Sequence, residues 1–419
     1  MVGHNIWLLS RLIRSVGSKR KNKLIAILGA VAALGPLSID MYLPGFSAIA
    51  RDLHTNIGQV SLSLTAYFIG ISTGQLVYGP LLDRYGRKKP LLVGFGLYLL
   101  AAIACALAPC IELFIFYRLL LAFGGCVGMV ASRAIIRDHF ESNEIARAFS
   151  SLILVMGAAP IVAPSIGGQV VAHFGWRYIF WFLAAYAGML LFLVRFALRE
   201  SHRPDPGFSL RPKAVGKQYW SVLQNRDFYT YGLAGTIGIG GLFCYIAGSP
   251  FVIMEMLDFS ETAYGWLFGA NALGFIACSQ INRALLKKRN SEELSRWVSL
   301  ITLGLSVFLT IQSGLGISLP WLFLGGLFFF MCSLGFINPN LQALALSPFK
   351  KQAGVASALV GAMRMMGGAI ASALIGLLHN ATAMPMTALM ALAALGVAGM
   401  LWQRYRRDLI RYRTVTLQL

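Results

Sequence analysis

Two charged side chains stand inside long apolar runs, where charge is expensive and therefore informative. Asp40 ends the first run (Ser38-Ile39-Asp40-Met41-Tyr42-Leu43-Pro44), and Arg118 opens the fourth (Arg118-Leu119-Leu120-Leu121-Ala122-Phe123-Gly124-Gly125). A carboxyl group that moves between an apolar setting and one beside a guanidinium changes its affinity for a proton, which is the chemistry of a proton carrier. The static alternative is a fixed ion pair near a membrane interface. Arg364, about eleven residues into another apolar run, has no acid near it in the second half of the chain. It can meet an anionic group on a ligand, or it can bond carbonyls and ring faces.

The elements that carry these charges are apolar throughout. Hydrophobic residues make up 57% of the 419 and charged residues 12%. That is too much apolar surface for a soluble chain to bury, so the bilayer is the solvent. The net charge of +20 then reads as cytoplasmic loop charge and not as a nucleic-acid footprint. Twelve runs are long enough to cross a bilayer as helices: 24–44, 60–82, 90–108, 113–136, 148–171, 177–198, 229–253, 264–282, 297–317, 320–344, 353–378 and 382–402. An open sheet would leave backbone groups unpaired in lipid, so the expected class is all-α.

Charge predicts direction. With the N-terminus inside, every Lys and Arg falls on the cytoplasmic side except Arg51 and Arg177 outside and Arg118 and Arg364 within spans. Both termini are then cytoplasmic, and the run at 254–263 is an outer loop carrying Glu255, Asp258 and Glu261 without a base. At 1.5 Å per residue, Asp40 and Arg118 both lie roughly 6–9 Å below the outer surface, so they can pair where their helices meet. The division predicted is a basic tail at 1–23, a six-helix bundle at 24–198, a polar loop at 199–228 with Pro204, Pro206 and Pro212, a second six-helix bundle at 229–402, and a basic tail at 403–419. Lys19, Arg20, Lys21 and Lys23 ahead of the first run resemble the start of a signal peptide, but no small-x-small cleavage site follows, and an uncleaved first helix is expected. Residues 7–14 form either a short interfacial helix or a disordered tail. The six cysteines lie in or beside apolar runs without CxxC spacing and read as core residues, so no metal site is expected.

The joint between the second and third runs, Gly79-Pro80-Leu81-Leu82-Asp83-Arg84-Tyr85-Gly86-Arg87-Lys88-Lys89, matches the loop joining helices two and three of the major facilitator superfamily. Gly79 can let helices approach closely, and Asp83 can accept hydrogen bonds at a neighbouring helix's N-terminus. The resemblance implies that Gly79, Asp83, Arg84, Gly86, Arg87 and Lys88 latch the two halves in one conformation. The fifth run, with Gly157, Pro160, Pro164, Gly167 and Gly168, is similar to the helix motif of that family's proton-coupled exporters. The fourth resembles its buried-arginine motif, with Leu121 where a glutamine is usual. The end of the first run, the Arg133-to-Asp138 stretch and Asn338-Pro339-Asn340 resemble the Bcr/CflA branch, named for bicyclomycin resistance. Ala32 occupies the place where some exporters of the superfamily carry a second acid.

What the resemblance implies is a twelve-helix protein in two six-helix bundles at the bacterial inner membrane, a monomer that exchanges protons for a small organic molecule by alternating access. No cofactor and no nucleic acid is expected. Tyr42, Tyr67, Gln75, Asn271, Asn340 and Arg364 are expected to line the cavity. Export of a metabolite or siderophore, or proton-coupled nutrient import, stays open. A membrane-embedded enzyme would need clustered His, Asp or Cys, whereas the six histidines fall in tails, loops and span ends. No P-loop supplies ATP as an energy source.

Overall fold

The computed structural model describes residues 21–416 apart from 22, 141, 203, 206–211, 318 and 350–352. Most of the N-terminal tail and all of residues 206–211 therefore lie outside the described residues, as does the reading made for 7–14. The described chain is helical: α1 (Lys23–Asp52), α2 (Ile57–Tyr85), α3 (Lys88–Ala106), α4 (Ile111–His139), α5 (Ser142–Phe174), α6 (Arg177–Phe196), α7 (Pro212–Leu223), α8 (Arg226–Pro250), α9 (Glu261–Leu285), α10 (Ser291–Gly314), α11 (Pro320–Leu346), α12 (Ala353–Leu377) and α13 (Met384–Thr416). Twelve of these are long. Ten are both long and apolar enough to cross a membrane on composition alone. The other two, α5 and α9, pack against each other across the middle of the molecule.

Helix ends follow local chemistry. Asn56 accepts from Gln59 N at 2.9 Å to start α2, Asn225 accepts from Asp227 N and Phe228 N to start α8, and Ser260 accepts from Ala263 N to start α9. Gly86, with φ of +82°, terminates α2 in a backbone region where a Cβ is strained. The segment read as a loop at 199–228 contains a helix, α7. Pro212 at its first position suits a helix start.

Helices α2, α3, α4 and α6 pack as one group, and α8 with α10, α11, α12 and α13 as another. The groups meet along two seams, α2 against α12 and α5 against α9. The first helix of each half of the chain, α1 and α8, is interrupted near its far end. In α1 the helix breaks after Asp40 and resumes through a single 3₁₀ turn at Leu43–Gly45, with Pro44 inside it. In α8, Pro250 is followed by a π-helical stretch, Phe251–Met256. The resumed part of α1 touches that stretch. Such paired discontinuities are a structural trace of a repeat that the sequence shows only faintly. The first span thus runs on to Asp52, beyond the limit of 44 read from the sequence.

The candidate proton and latch sites

Arg118 is completely buried. Its Nη1 donates to Ser38 O at 3.0 Å, and its guanidinium lies 4.0 Å from the ring centroid of Tyr42, 4.4 Å from that of Tyr67 and 5.8 Å from that of Phe180. Tyr42 OH lies 3.3 Å from Ser63 Oγ, and Tyr67 OH donates to Gly35 O at 3.2 Å. Rings from α1, α2 and α6 thus enclose one cation from α4. Ring faces carry negative charge, which offsets the lost hydration of the guanidinium. Nε and Nη2 of Arg118 have no hydrogen-bond partner.

Asp40 is buried too, and it is the only Asp or Glu among the described residues that is. Its expected pairing with Arg118 is absent: no ion pair joins them. Ser38 and Tyr42, four residues apart, share the face turned to Arg118, and Asp40, midway between them, points away. The depth argument holds, because Arg118 touches the turns on either side of Asp40, but the facing does not. The turn that follows Asp40, Leu43–Gly45, packs on α8 and α9, which carry Tyr245 and Tyr264. Those phenols are positioned by their own partners: Asn271 Nδ2 donates to Tyr245 OH at 2.7 Å, and Tyr264 OH lies 3.0 Å from Ser249 Oγ. Asp40 therefore sits at the interface between the groups, opposite a polar network that sequence reading did not find beyond Asn271.

Other expected cavity residues have structural partners. Tyr42 and Tyr67 hold Arg118. Asn340 and Asn282 exchange amide hydrogen bonds at 2.9 and 3.0 Å between α11 and α9. Gln75 is buried against Gly361 on α12. Arg364 Nη1 donates to Gln342 Oε1 at 2.7 Å, which is the carbonyl alternative for this residue, met by a side-chain amide.

The 79–89 joint forms a charged knot. Arg87 is buried, with Nη1 2.7 Å from Asp83 Oδ1 and Nε 3.0 Å from Asp138 Oδ2 on α4. Burial works against its charge, but the bonds to Asp138 and Asp83 outweigh burial and raise its affinity for the proton. Asp83 is thus committed to Arg87, and the helix N-terminus is met by another acid. Glu200, beyond α6, accepts from Arg87 N at 2.7 Å and Lys88 N at 3.0 Å, capping α3 where the dipole favours an anion. Lys88 Nζ donates to Arg195 O at 2.8 Å, Ser201 Oγ donates to Asp138 Oδ2 at 2.9 Å, and Arg84 stacks 5.7 Å over Tyr85. The signal for Glu200 was present in the sequence as a single acid among Arg195, Arg199 and Arg203. Gly79 has no atom within 4 Å of where a Cβ would stand, so it does not serve close packing here.

The α5 motif divides likewise. Gly157 faces α9 at ordinary contact distance, with Ile276 Cδ1 at 3.5 Å. Gly167 lies directly against Met41 O, and Gly168 would place a Cβ 2.6 Å from Glu261 O. Pro160 and Pro164 lie within the helix, and the carbonyl of Pro164 is 2.6 Å from where Gly265 would carry a Cβ. Small residues on both sides let the backbones touch. At the same end, Gly58 and Gly376 stand carbonyl to Cα across the α2–α12 seam, and Ser372 Oγ donates to Ser61 O at 3.0 Å. The end of the molecule opposite the charged knot is closed along both seams.

Two helix groups with interrupted lead helices, closed on each other at one end around an unpaired buried acid, define a membrane transporter of the two-bundle kind. The chain belongs to the Major Facilitator Superfamily, whose family model matches residues 28–372. It is 36% identical over 392 residues to the MFS-type transporter YdgK of Bacillus subtilis, covering 91% of this chain and 95% of that one. It is 30% identical over 364 residues to the bicyclomycin resistance protein homolog of Haemophilus influenzae, covering 86% and 91%. These relatives place it in the Bcr/CflA branch, as a multi-pass inner-membrane transporter and not an enzyme. Among solved structures, a bacterial homolog of the human lysosomal transporter Spinster superposes with a TM-score of 0.70 at 13% identity, over 92% of this chain and 97% of that one. The D-xylose–proton symporter gives 0.65 at 16%, over 89% and 97%. At such identities these two establish the fold alone.

Proposed function

We propose that this transporter exports small organic molecules in exchange for protons, by alternating access between a bundle at 24–198 and one at 229–402, with the basic end and both termini in the cytoplasm. Relatives named for bicyclomycin resistance and, at 28% identity, for multidrug resistance support drug-like cargo. The observation that carries the reading is Asp40: a buried acid without an ion-pair partner among the described residues, just before the turn of α1 that packs on α8 and α9 of the opposite half. A carboxyl group in that setting is neutral at low energetic cost while the bundles touch. It gains from ionising when they part and water enters. Proton uptake and closure of the outer end are then linked, and substrate competes for the same transition from the other side. The charged knot of Asp83, Arg87, Asp138 and Glu200 biases that equilibrium from the cytoplasmic end, and Arg118 with its rings fixes α1 against α4. The test is transport in proteoliposomes under an imposed pH gradient with a panel of neutral and charged antibiotics. Asp40→Asn should reach the membrane folded and lose gradient-driven transport. Full activity in that variant rejects the proton role.

A further inference from the structure

Pro80 lies inside α2, just before the charged knot, and has no N–H to donate. In a regular α-helix that N–H goes to the carbonyl four residues back, which here is Leu76 O. A distant segment supplies a donor instead: Tyr219 OH on α7 donates to Leu76 O at 3.4 Å, across 143 positions. Burial raises the affinity of the Tyr219 phenol for its proton, so it stays a donor. The helix that carries Tyr219 belongs with the second bundle, because α7 packs on α8 and α12. Val222, three residues on, is fully buried in a hydrophobic cluster with Phe228, Leu341 and Val360. Among the described residues, Leu76 is the one residue of the first bundle packed against that cluster, and Tyr219 packs against it too. The chain ahead of α7 follows α2 in the same way: Asp205 N donates to Asp83 O at 3.4 Å, and Glu200 caps α3. The segment between the bundles is therefore no slack tether.

A proline inside a helix frees a carbonyl for a partner outside that helix, and here the partner comes from the opposite bundle. We propose that α7 is a strap that holds the basic end closed, and that Tyr219 is the positioning residue that fastens it by standing in for the amide Pro80 lacks. The contact suits a part that must let go. Water serves a carbonyl about as well as a hydroxyl does, so Leu76 O exchanges one for the other when the bundles separate at that end. Tyr219 finds this acceptor only while α2 and the second bundle are together, which gives the strap a preference for one conformation. The proposal deepens the alternating-access reading and rests on it.

Labelling by N-ethylmaleimide of the full-length protein in membrane vesicles tests this, in a background without the six native cysteines. Two single-cysteine reporters are needed on the α2–α12 seam. Ser72→Cys replaces a buried hydroxyl that donates to Ala362 O at 2.9 Å, and Ser61→Cys one that lies 3.5 Å from Ser372 Oγ, further from the basic end. Tyr219→Phe keeps the ring and removes the donor. It should raise the labelling rate of Ser72→Cys roughly threefold, the scale of one hydrogen bond, and leave that of Ser61→Cys level or lower. Pro80→Ala returns an N–H to Leu76 O, so in that background Tyr219→Phe should change the Ser72→Cys rate by less than about 1.5-fold. An unchanged Ser72→Cys rate in Tyr219→Phe overturns the strap, and so does an equal effect with and without Pro80→Ala. A rise at both reporters also overturns it, since that is general loosening of the seam. Where Pro80→Ala does not fold, the two reporters decide without it. If neither reporter is labelled in the parent protein, alternating access fails and the strap with it. Labelling of both in the parent, unmoved by Tyr219→Phe, defeats the strap alone.

Discussion

Arg118 and Asp40 lie at one level of the first bundle and face away from each other. Arg118 donates to Ser38 O and covers the ring of Tyr42, two residues either side of Asp40, while the turn after Asp40 packs on α8 and α9, the helices of Tyr245 and Tyr264. The cation is thereby held within the first bundle, and the acid is left at the interface between the bundles. A salt bridge between them would have held the acid ionised, which the proposed proton role does not allow.

Arg118 is predicted to be structural first. Arg118→Gln removes a cation held by three ring faces in a dry site, where such contacts are worth about 2 kcal/mol or more. The unfolding temperature in detergent should fall by several degrees, and Arg118→Lys should recover part of the loss. An unchanged unfolding temperature in Arg118→Gln would contradict the aromatic enclosure.

The two glycines of the 79–89 joint should respond oppositely. Gly86→Ala strains a backbone at φ +82° and drives a methyl group into the Glu200 carboxylate, 2.8 Å away, so transport should fall roughly tenfold, on the scale of a 1–2 kcal/mol coupling energy. Gly79→Ala meets open space and should transport at the wild-type rate. A reversed order in initial uptake rates would mean that Gly79 packs closely in a conformation other than this one.

Glu200 is predicted to belong to the latch although it lies far along the chain from it. Glu200→Ala leaves the first N–H groups of α3 without their acceptor, a loss of about 1 kcal/mol for a cap. Accessibility of a cysteine placed at Gly79, followed by maleimide labelling in inverted vesicles, should rise relative to the same cysteine in the parent. Equal labelling rates would show that Glu200 does not restrain the basic end.

The seam between α2 and α12 offers a direct test of alternating access. Ser61 Oγ and Ser372 Oγ are 3.5 Å apart, so a Cys pair at 61 and 372 in a background without the six native cysteines should cross-link on mild oxidation. Transport should stop on oxidation and return on reduction. Continued transport by the cross-linked protein would mean that the seam does not open during the cycle.

Along α5 the same contrast applies. Gly167→Ala places a methyl group on Met41 O and should impair transport severely. Gly157→Ala has room and should be mild.

Much of this architecture was legible in the chain. Long apolar runs with bases between them specify an all-helical membrane protein, because lipid admits neither charge nor unpaired backbone. The rarity of charge in those runs singled out Asp40, Arg118 and Arg364. What remained hidden was which way each side chain faces. A helix in lipid is apolar both where it meets a neighbour and where it meets hydrocarbon, so its sequence carries little sign of orientation. Packing alone left Asp40 without an ion pair to Arg118, gave Arg118 its three rings, and brought Glu200 across 113 positions to the N–H of Arg87. Those contacts join residues distant in sequence, and only the close approach of the helices decides them.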